Sequence, residues 1–136
     1  MKTTRQVLNG CYCRLRPSKI HGVGVFAVRD IRKGVNPFKT VDKRYEYPEC
    51  VHISPNELRD LPPKLAETLQ AMFMLNDDGM FIPSFGISLV YMASVINHSA
   101  APNLVTKDRF NFVSNQDIPE GTELTVDYQT FGAPLP

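Results

Sequence analysis

Between closely spaced prolines and glycines, the apolar residues of this chain come in short stretches, a length that suits strands joined by turns rather than long helices. The clearest predicted strands are Tyr12 to Leu15, Val23 to Val28, Arg109 to Ser114 and Glu123 to Asp127. In Arg109-Phe110-Asn111-Phe112 polar and aromatic residues alternate with period two, so one face of that strand is expected to be buried. Helical signals cluster in the middle. Ser54-Pro55-Asn56-Glu57 combines an N-cap serine, a proline suited to the first helical position and a glutamate three residues after the cap. Pro62-Pro63 must end that helix, and a second turn or two is predicted through Lys64 to Gln70. Leu58, Leu61, Leu65 and Leu69 fall at helical spacing on one face, which reads as core. Met72 to Leu75, the turn Asn76-Asp77-Asp78-Gly79 and Met80 to Ile82 read as a hairpin. Asp30-Ile31-Arg32-Lys33-Gly34 and Asp117-Ile118-Pro119-Glu120-Gly121 share one pattern, read as two similar turns whose glycine lets the chain visit positive φ. The fold class predicted is mainly β, with one or two short helices.

At 136 residues the chain is expected to be a single domain, 1–136, with one core and one site. Residues 1–9 and 133–136 are candidates for mobility in the free protein. A net charge of +1 gives no electrostatic footprint for direct nucleic-acid or membrane-surface binding, so a macromolecular partner is expected to be a protein. No apolar run approaches the roughly 20 residues of a spanning helix, and the N-terminus leads into no signal-peptide core, so an intracellular protein, cytoplasmic or nuclear, is expected. Cys11, Cys13 and Cys50 are an odd number and read as reduced thiols. Cys11-x-Cys13 could be half of a zinc site, but tetrahedral zinc needs four ligands and no later cysteine pair supplies the rest; His21, His52 and His98 show no ligand spacing. No metal is expected.

Three stretches carry candidate chemistry. His21-Gly22-Val23-Gly24 opens a predicted strand, and two glycines flanking one residue let backbone approach a ligand with no Cβ in the way; a plain tight turn is the alternative. Asn97-His98-Ser99-Ala100-Ala101-Pro102-Asn103 follows an apolar stretch, and polar side chains placed there must find partners. His98-Ser99 could begin a hydrolase triad if an acid such as Asp108 or Asp127 were brought to it; a satisfied histidine is the simpler reading. Glu123-Leu124-Thr125-Val126-Asp127-Tyr128 ends a strand on a tyrosine, which by itself suggests a core aromatic with its hydroxyl bonded.

Taken in order, Gly-x-Gly, then Asn-His-Ser-x-x-Pro-Asn, then Gly-x-Glu-Leu-Thr-x-Asp-Tyr, the chain from about Leu15 to Tyr128 resembles the SET domain family of S-adenosylmethionine-dependent protein-lysine methyltransferases. The resemblance implies a β-clip-like fold of several small sheets in which the segment ending in Tyr128 tucks beneath the Asn97 loop in a knot-like crossing. It implies S-adenosylmethionine as cofactor and a protein substrate with an accessible lysine, such as a histone tail. By the same analogy Gly22, Val23 and Gly24 offer backbone to the cofactor, Asn97 and His98 grip it, Phe131 covers its adenine ring, and Tyr128 is catalytic. Phe73, Tyr91 and Val126 are the expected borders of the substrate channel. The flanking cysteine-rich modules of many chromatin methyltransferases are absent from this sequence, Ala100 stands where the family usually has cysteine, and Val35 to Lys39 replaces an acidic, tyrosine-containing stretch. A catalytically weak SET-like protein-binding module is therefore the alternative, and a monomer or a homodimer suits either reading.

Overall fold

The computed structural model describes residues 3–39, 49–73, 75–89, 92–106 and 111–131. Its strands are β1 (Cys13–Pro17), β2 (Val23–Ala27), β3 (Cys50–Ile53), β4 (Met80–Pro83), β5 (Asn97–His98), β6 (Leu104–Thr106), β7 (Phe112–Ser114) and β8 (Glu123–Val126). The helices are α1 (Thr4–Asn9), α2 (Pro55–Arg59) and α3 (Pro63–Met72), with 3-10 turns at Met92–Val95 and Tyr128–Phe131. The architecture is mainly β, built from several small sheets with a few short helices, as the patterning predicts.

The largest sheet has the order β1-β2-β8-β5. β1 and β2 form an antiparallel pair with Cys13 opposite Ala27 and Pro17 opposite Val23. β8 runs antiparallel to β2, with Val25 facing Leu124, and parallel to β5, with Asn97 facing Thr125 and His98 facing Val126. A strand bonded on both edges and covered on both faces can be apolar throughout, and Leu124, Thr125 and Val126 are all buried. The main core gathers Val25, Ile31, Leu104, Phe112, Ile118, Leu124 and Val126, with Phe38 set edge-on to Phe112 at 5.9 Å. A second cluster, Leu58, Leu69 and Met80, lies between the helix pair and the two-stranded sheet of β3 and β4.

The two Asp-Ile-x-x-Gly segments turn out to be partners. Ile31 and Ile118 exchange backbone hydrogen bonds, Ile31 N–H to Ile118 C=O at 2.8 Å and Ile118 N–H to Ile31 C=O at 2.7 Å. Asp117 Oδ1 accepts the Lys33 amide at 2.8 Å, and Asp30 Oδ1 accepts the Glu120 amide at 2.9 Å. Gly34 and Gly121, the fifth residues, both have positive φ, 89° and 87°. Each half thus satisfies the fourth amide of the other, a reciprocal clasp at the entrance to β8. Two similar turns are present, and they clasp each other.

The structure departs from expectation at the hairpin and at one leucine of the helical face, and adds detail at two further segments. Met72 to Leu75 is not a strand paired with β4: Met72 ends α3, Phe73 caps it in extended conformation, and β4 pairs with β3 instead. Helix-forming Leu65 to Met72 outweighs the hairpin signal of Asn76 to Gly79, which still makes a turn, with Gly79 at φ 111°. The segment 4–9 is helical, held at its start by a capping box between Thr3 and Gln6. Of the leucines on the helical face, Leu58 and Leu69 are buried, Leu61 is half-buried, and Leu65 is 38% exposed. The Arg109 to Ser114 strand is seen from Phe112 to Ser114, and residues 107–110 lie outside the described residues.

Candidate functional site

Two stretches that are far apart in sequence, 18–24 and 97–99, meet on β8. Glu123, the first residue of β8, sits opposite Phe26 and reaches diagonally over Gly24. Its carboxylate accepts the Ser18 hydroxyl at 2.8 and 2.9 Å and the Asn97 amide Nδ2 at 2.8 Å. That same Nδ2 donates to the carbonyls of His21 at 3.1 Å and Val23 at 3.3 Å. Ser18 Oγ in turn accepts the Ile20 amide at 2.9 Å and the His21 amide at 3.4 Å. The turn is closed by Ser18 N–H to Gly22 C=O at 2.8 Å. Asn97 is only 6% exposed, so its amide nitrogen holds the turn from within.

The two glycines of Gly-x-Gly have different duties. Gly22 has φ +47° and nothing within 4 Å of where a Cβ would stand, so that face of the turn is open. At Gly24 an added Cβ would strike the Glu123 carboxylate, coming within 2.8 Å of Cδ and 3.1 Å of Asn97 Nδ2. Gly22 leaves one face of the turn open; Gly24 leaves room for Glu123.

On its other side β8 is held by Asn103. Asn103 Oδ1 accepts the Thr125 amide at 2.8 Å, and its Nδ2 donates to the Glu123 carbonyl at 2.9 Å, a side chain standing in for a strand. Asn115 steadies that loop from Nδ2 to the Pro102 carbonyl at 3.0 Å.

At the exit of β8 lie His98, Asp127 and Tyr128. His98 Nδ1 accepts the backbone amide of Tyr128 at 3.0 Å, so this nitrogen carries no proton and the ring proton is on Nε2. The rings of His98 and Tyr128 are 5.2 Å apart, tilted by 57°. The Tyr128 hydroxyl donates to the Ile96 carbonyl at 2.6 Å, and burial pushes its pKa above the usual phenol value. Asp127 Oδ1 lies 3.7 Å from His98 Nδ1 and accepts the Gln129 amide at 2.9 Å. A hydrolase triad needs the opposite tautomer, with Nδ1–H donating to the acid, and Ser99 Oγ here accepts the Ala101 amide at 3.1 Å. The hydrolase reading is set aside on that geometry.

Of the expected site residues, Gly22, Val23, Gly24, Asn97, His98 and Tyr128 come together around β8. Val126 is buried in the main core at 2% exposure, whereas Phe73 packs against the second cluster, so these two do not share one apolar group. Tyr91 and the Phe131 side chain lie outside the described residues. Ser18, Asn103 and Glu123 were not singled out for a role. The available signal was a carboxylate at a strand start lying diagonal to a glycine on the neighbouring strand, and it becomes visible only once β2 and β8 are known to pair. Among the described residues no group of three His, Cys, Asp or Glu side chains is arranged to hold a metal, and no helix is long and apolar enough to cross a membrane. Cys11, Cys13 and Cys50 form no disulfide among the described residues.

Comparison with known proteins places this junction in a family. Histone-lysine N-methyltransferase 2D of Homo sapiens and of Mus musculus each match at 29% identity over 125 residues, 85% of this chain. The chain spans about 2% of the length of these relatives. A solved Plasmodium falciparum chain named for histone methyltransferase activity aligns over 86% of this chain and 92% of its own, with TM-score 0.47 and 18% identity. The family model of the SET domain matches residues 22–129, which take in the Gly22 turn, β5, β8 and Tyr128. With most of its length matched and the matched motifs gathered at one junction, the chain belongs to the SET domain family.

Proposed function

We propose that the protein transfers a methyl group from S-adenosylmethionine to the side-chain amine of a lysine in a protein substrate. The observation that carries this reading is the convergence on β8 of the open Gly22 turn, the Asn97 and His98 pair, and the Tyr128 phenol. The residues present fit the cofactor: the turn at Gly22 has an unobstructed face, and its backbone is held from behind by Asn97 and Ser18. Gly22 and Val23 would lie against it, with His98 alongside. When bound, it supplies a methyl group made electrophilic by a positively charged sulfur.

What the chain's own residues contribute is position. A lysine amine, with a reference pKa of about 10.4, must lose its proton before it can attack carbon. Removal from water and a nearby positive charge both lower that pKa, so no strong base is needed. Tyr128 is not that base. Burial keeps its phenol protonated and the proton is directed to Ile96 C=O, so toward an incoming amine the oxygen acts as an acceptor that orients the nitrogen. Alignment of the reacting atoms at about 3 to 3.5 Å is where such orientation contributes most to rate.

Histones are the first substrates to try, since the matched relatives are named for histone-lysine methylation; a nuclear location accords with such a substrate. The test is transfer of labelled methyl from S-adenosylmethionine to histones and to a lysine-peptide array. Transfer that is lost in Tyr128→Phe supports the proposal. Cofactor binding with no transfer to a broad panel would leave a binding module in place of an enzyme.

A further inference from the structure

Glu123 lies at the centre of the polar junction, yet its hydrogen bonds to Ser18 and Asn97 direct it into the turn. Its carboxylate joins Ser18 and Asn97, and those two side chains between them hold the backbone of residues 20, 21 and 23. Ser18 fixes amides, Asn97 fixes carbonyls, and the carboxylate fixes both side chains. Among the described residues no other group bonds both of these side chains. Gly24 supports the same conclusion, because its missing Cβ makes the space that the carboxylate fills.

We infer that Glu123 is a positioning residue for the cofactor: it sets the shape of the turn from Ser18 to Gly24, and so the affinity for S-adenosylmethionine, by clamping the turn through Ser18 and Asn97. The inference rests on the proposed function in one respect, that the Gly22 turn faces the cofactor. Its content is separate, since it assigns Glu123 to binding and Tyr128 to the transfer step. A turn whose side chains are already fixed loses little freedom when a ligand docks, whereas an unclamped turn must be ordered at the ligand's expense. Ser18 and Asn97 both reach Oε2 and Ser18 also reaches Oε1, so glutamine at 123 removes the negative charge that strengthens both bonds and puts an amide NH2 in place of one oxygen that Ser18 now reaches.

The experiment is calorimetric titration of S-adenosylhomocysteine into the wild-type protein, Glu123→Gln, Glu123→Ala and Ser18→Ala. Thermal melting and steady-state methyl transfer are measured on each variant. The expected result is an affinity weaker by roughly tenfold in each variant, the loss of about one charge-assisted hydrogen bond. In the steady state the loss falls on the cofactor KM and leaves kcat largely intact, opposite to Tyr128→Phe. A merely structural role would lower the melting temperature without that split. Gly24→Ala gives a second handle: it is expected to weaken binding in the wild-type background, and to add far less in Glu123→Ala, where the carboxylate it would strike is gone. Folded Ser18→Ala and Glu123→Gln proteins with unchanged affinity would overturn the clamp while leaving the cofactor reading standing. So would additive effects of Gly24→Ala and Glu123→Ala. A wild-type protein that binds no S-adenosylhomocysteine would overturn both.

Discussion

The two ends of β8 are fastened in contrasting ways. At its entrance the Asp30 and Asp117 turns bind each other reciprocally, with the same aspartate-to-amide bond, the same isoleucine exchange and the same left-handed glycine on both sides. At its exit nothing is mirrored: His98 accepts from Tyr128, Tyr128 donates to Ile96, and Asn97 reaches back to the Gly22 turn. Holding a strand in place is a task that one local solution, used twice, can perform. Building a site needs groups in different protonation states and orientations, and repetition would give the wrong ones. The reciprocal clasp serves to hold the strand, and the groups drawn together for the proposed chemistry lie outside it.

The largest effect expected belongs to the exit. Tyr128→Phe should lower kcat for methyl transfer by about 100-fold, because the amine loses its orienting partner. Stability should fall by only about 1 kcal/mol for the lost bond to Ile96 C=O, read from urea unfolding. A large loss of stability with kcat untouched would reverse the assignment of the two ends. At the entrance, Asp30→Ala and Asp117→Ala should each cost about 1 kcal/mol, equal within about 0.5 kcal/mol, with no change in kcat. Clearly unequal costs would show that the clasp is symmetric in geometry alone.

Alkaline stability sharpens the contrast in another way. Cys13, paired with Ala27 at the end of β2, is pushed by burial from 9.0 to about 12. A folded pKa above the unfolded one means that stability is fully present below about pH 9 and is lost as pH rises from there toward 12. Tyr128 is raised by burial from 10.0, so its contribution begins to fall about one pH unit later. Urea midpoints measured at pH 8, 9.5 and 10.5 should therefore flatten first in Cys13→Ala and only at the highest pH in Tyr128→Phe.

Much of this arrangement could be read along the chain, and what could not has identifiable physical reasons. β2 and β8 announce themselves because Val23 to Ala27 and Glu123 to Val126 are β-branched or apolar stretches next to glycine turns. The N-cap of α2 is equally legible: Ser54 accepts the Glu57 amide at 3.1 Å, as its position before a proline and a glutamate suggests. β3 was not, since Cys50, Val51 and His52 are exposed and the strand takes its conformation from pairing with Met80 to Pro83. Nor was α1, which buries no residue and so shows no apolar face, although its capping box is written in Thr3 and Gln6. Within the site, motif order located Asn97, His98 and Tyr128. The roles of Ser18, Asn103 and Glu123 depend on where a side-chain nitrogen or oxygen points after distant strands meet, and no local pattern encodes that. The Asp-Ile-x-x-Gly likeness was visible as a repeated phrase; that the two phrases grip each other is a fact of three dimensions.

The parallel pairing of β5 with β8 sets an order of events for the growing polypeptide. β1 and β2 can zip together as a hairpin from neighbouring residues, a fast and local event. Asn97 and His98, by contrast, have no strand beside them until Thr125 and Val126 slide between β2 and β5. The Asn97 and His98 pair, the Gly22 turn and Tyr128 come into register only when β8 lies between β2 and β5, so a chain with β8 undocked would hold all of these residues and none of their arrangement.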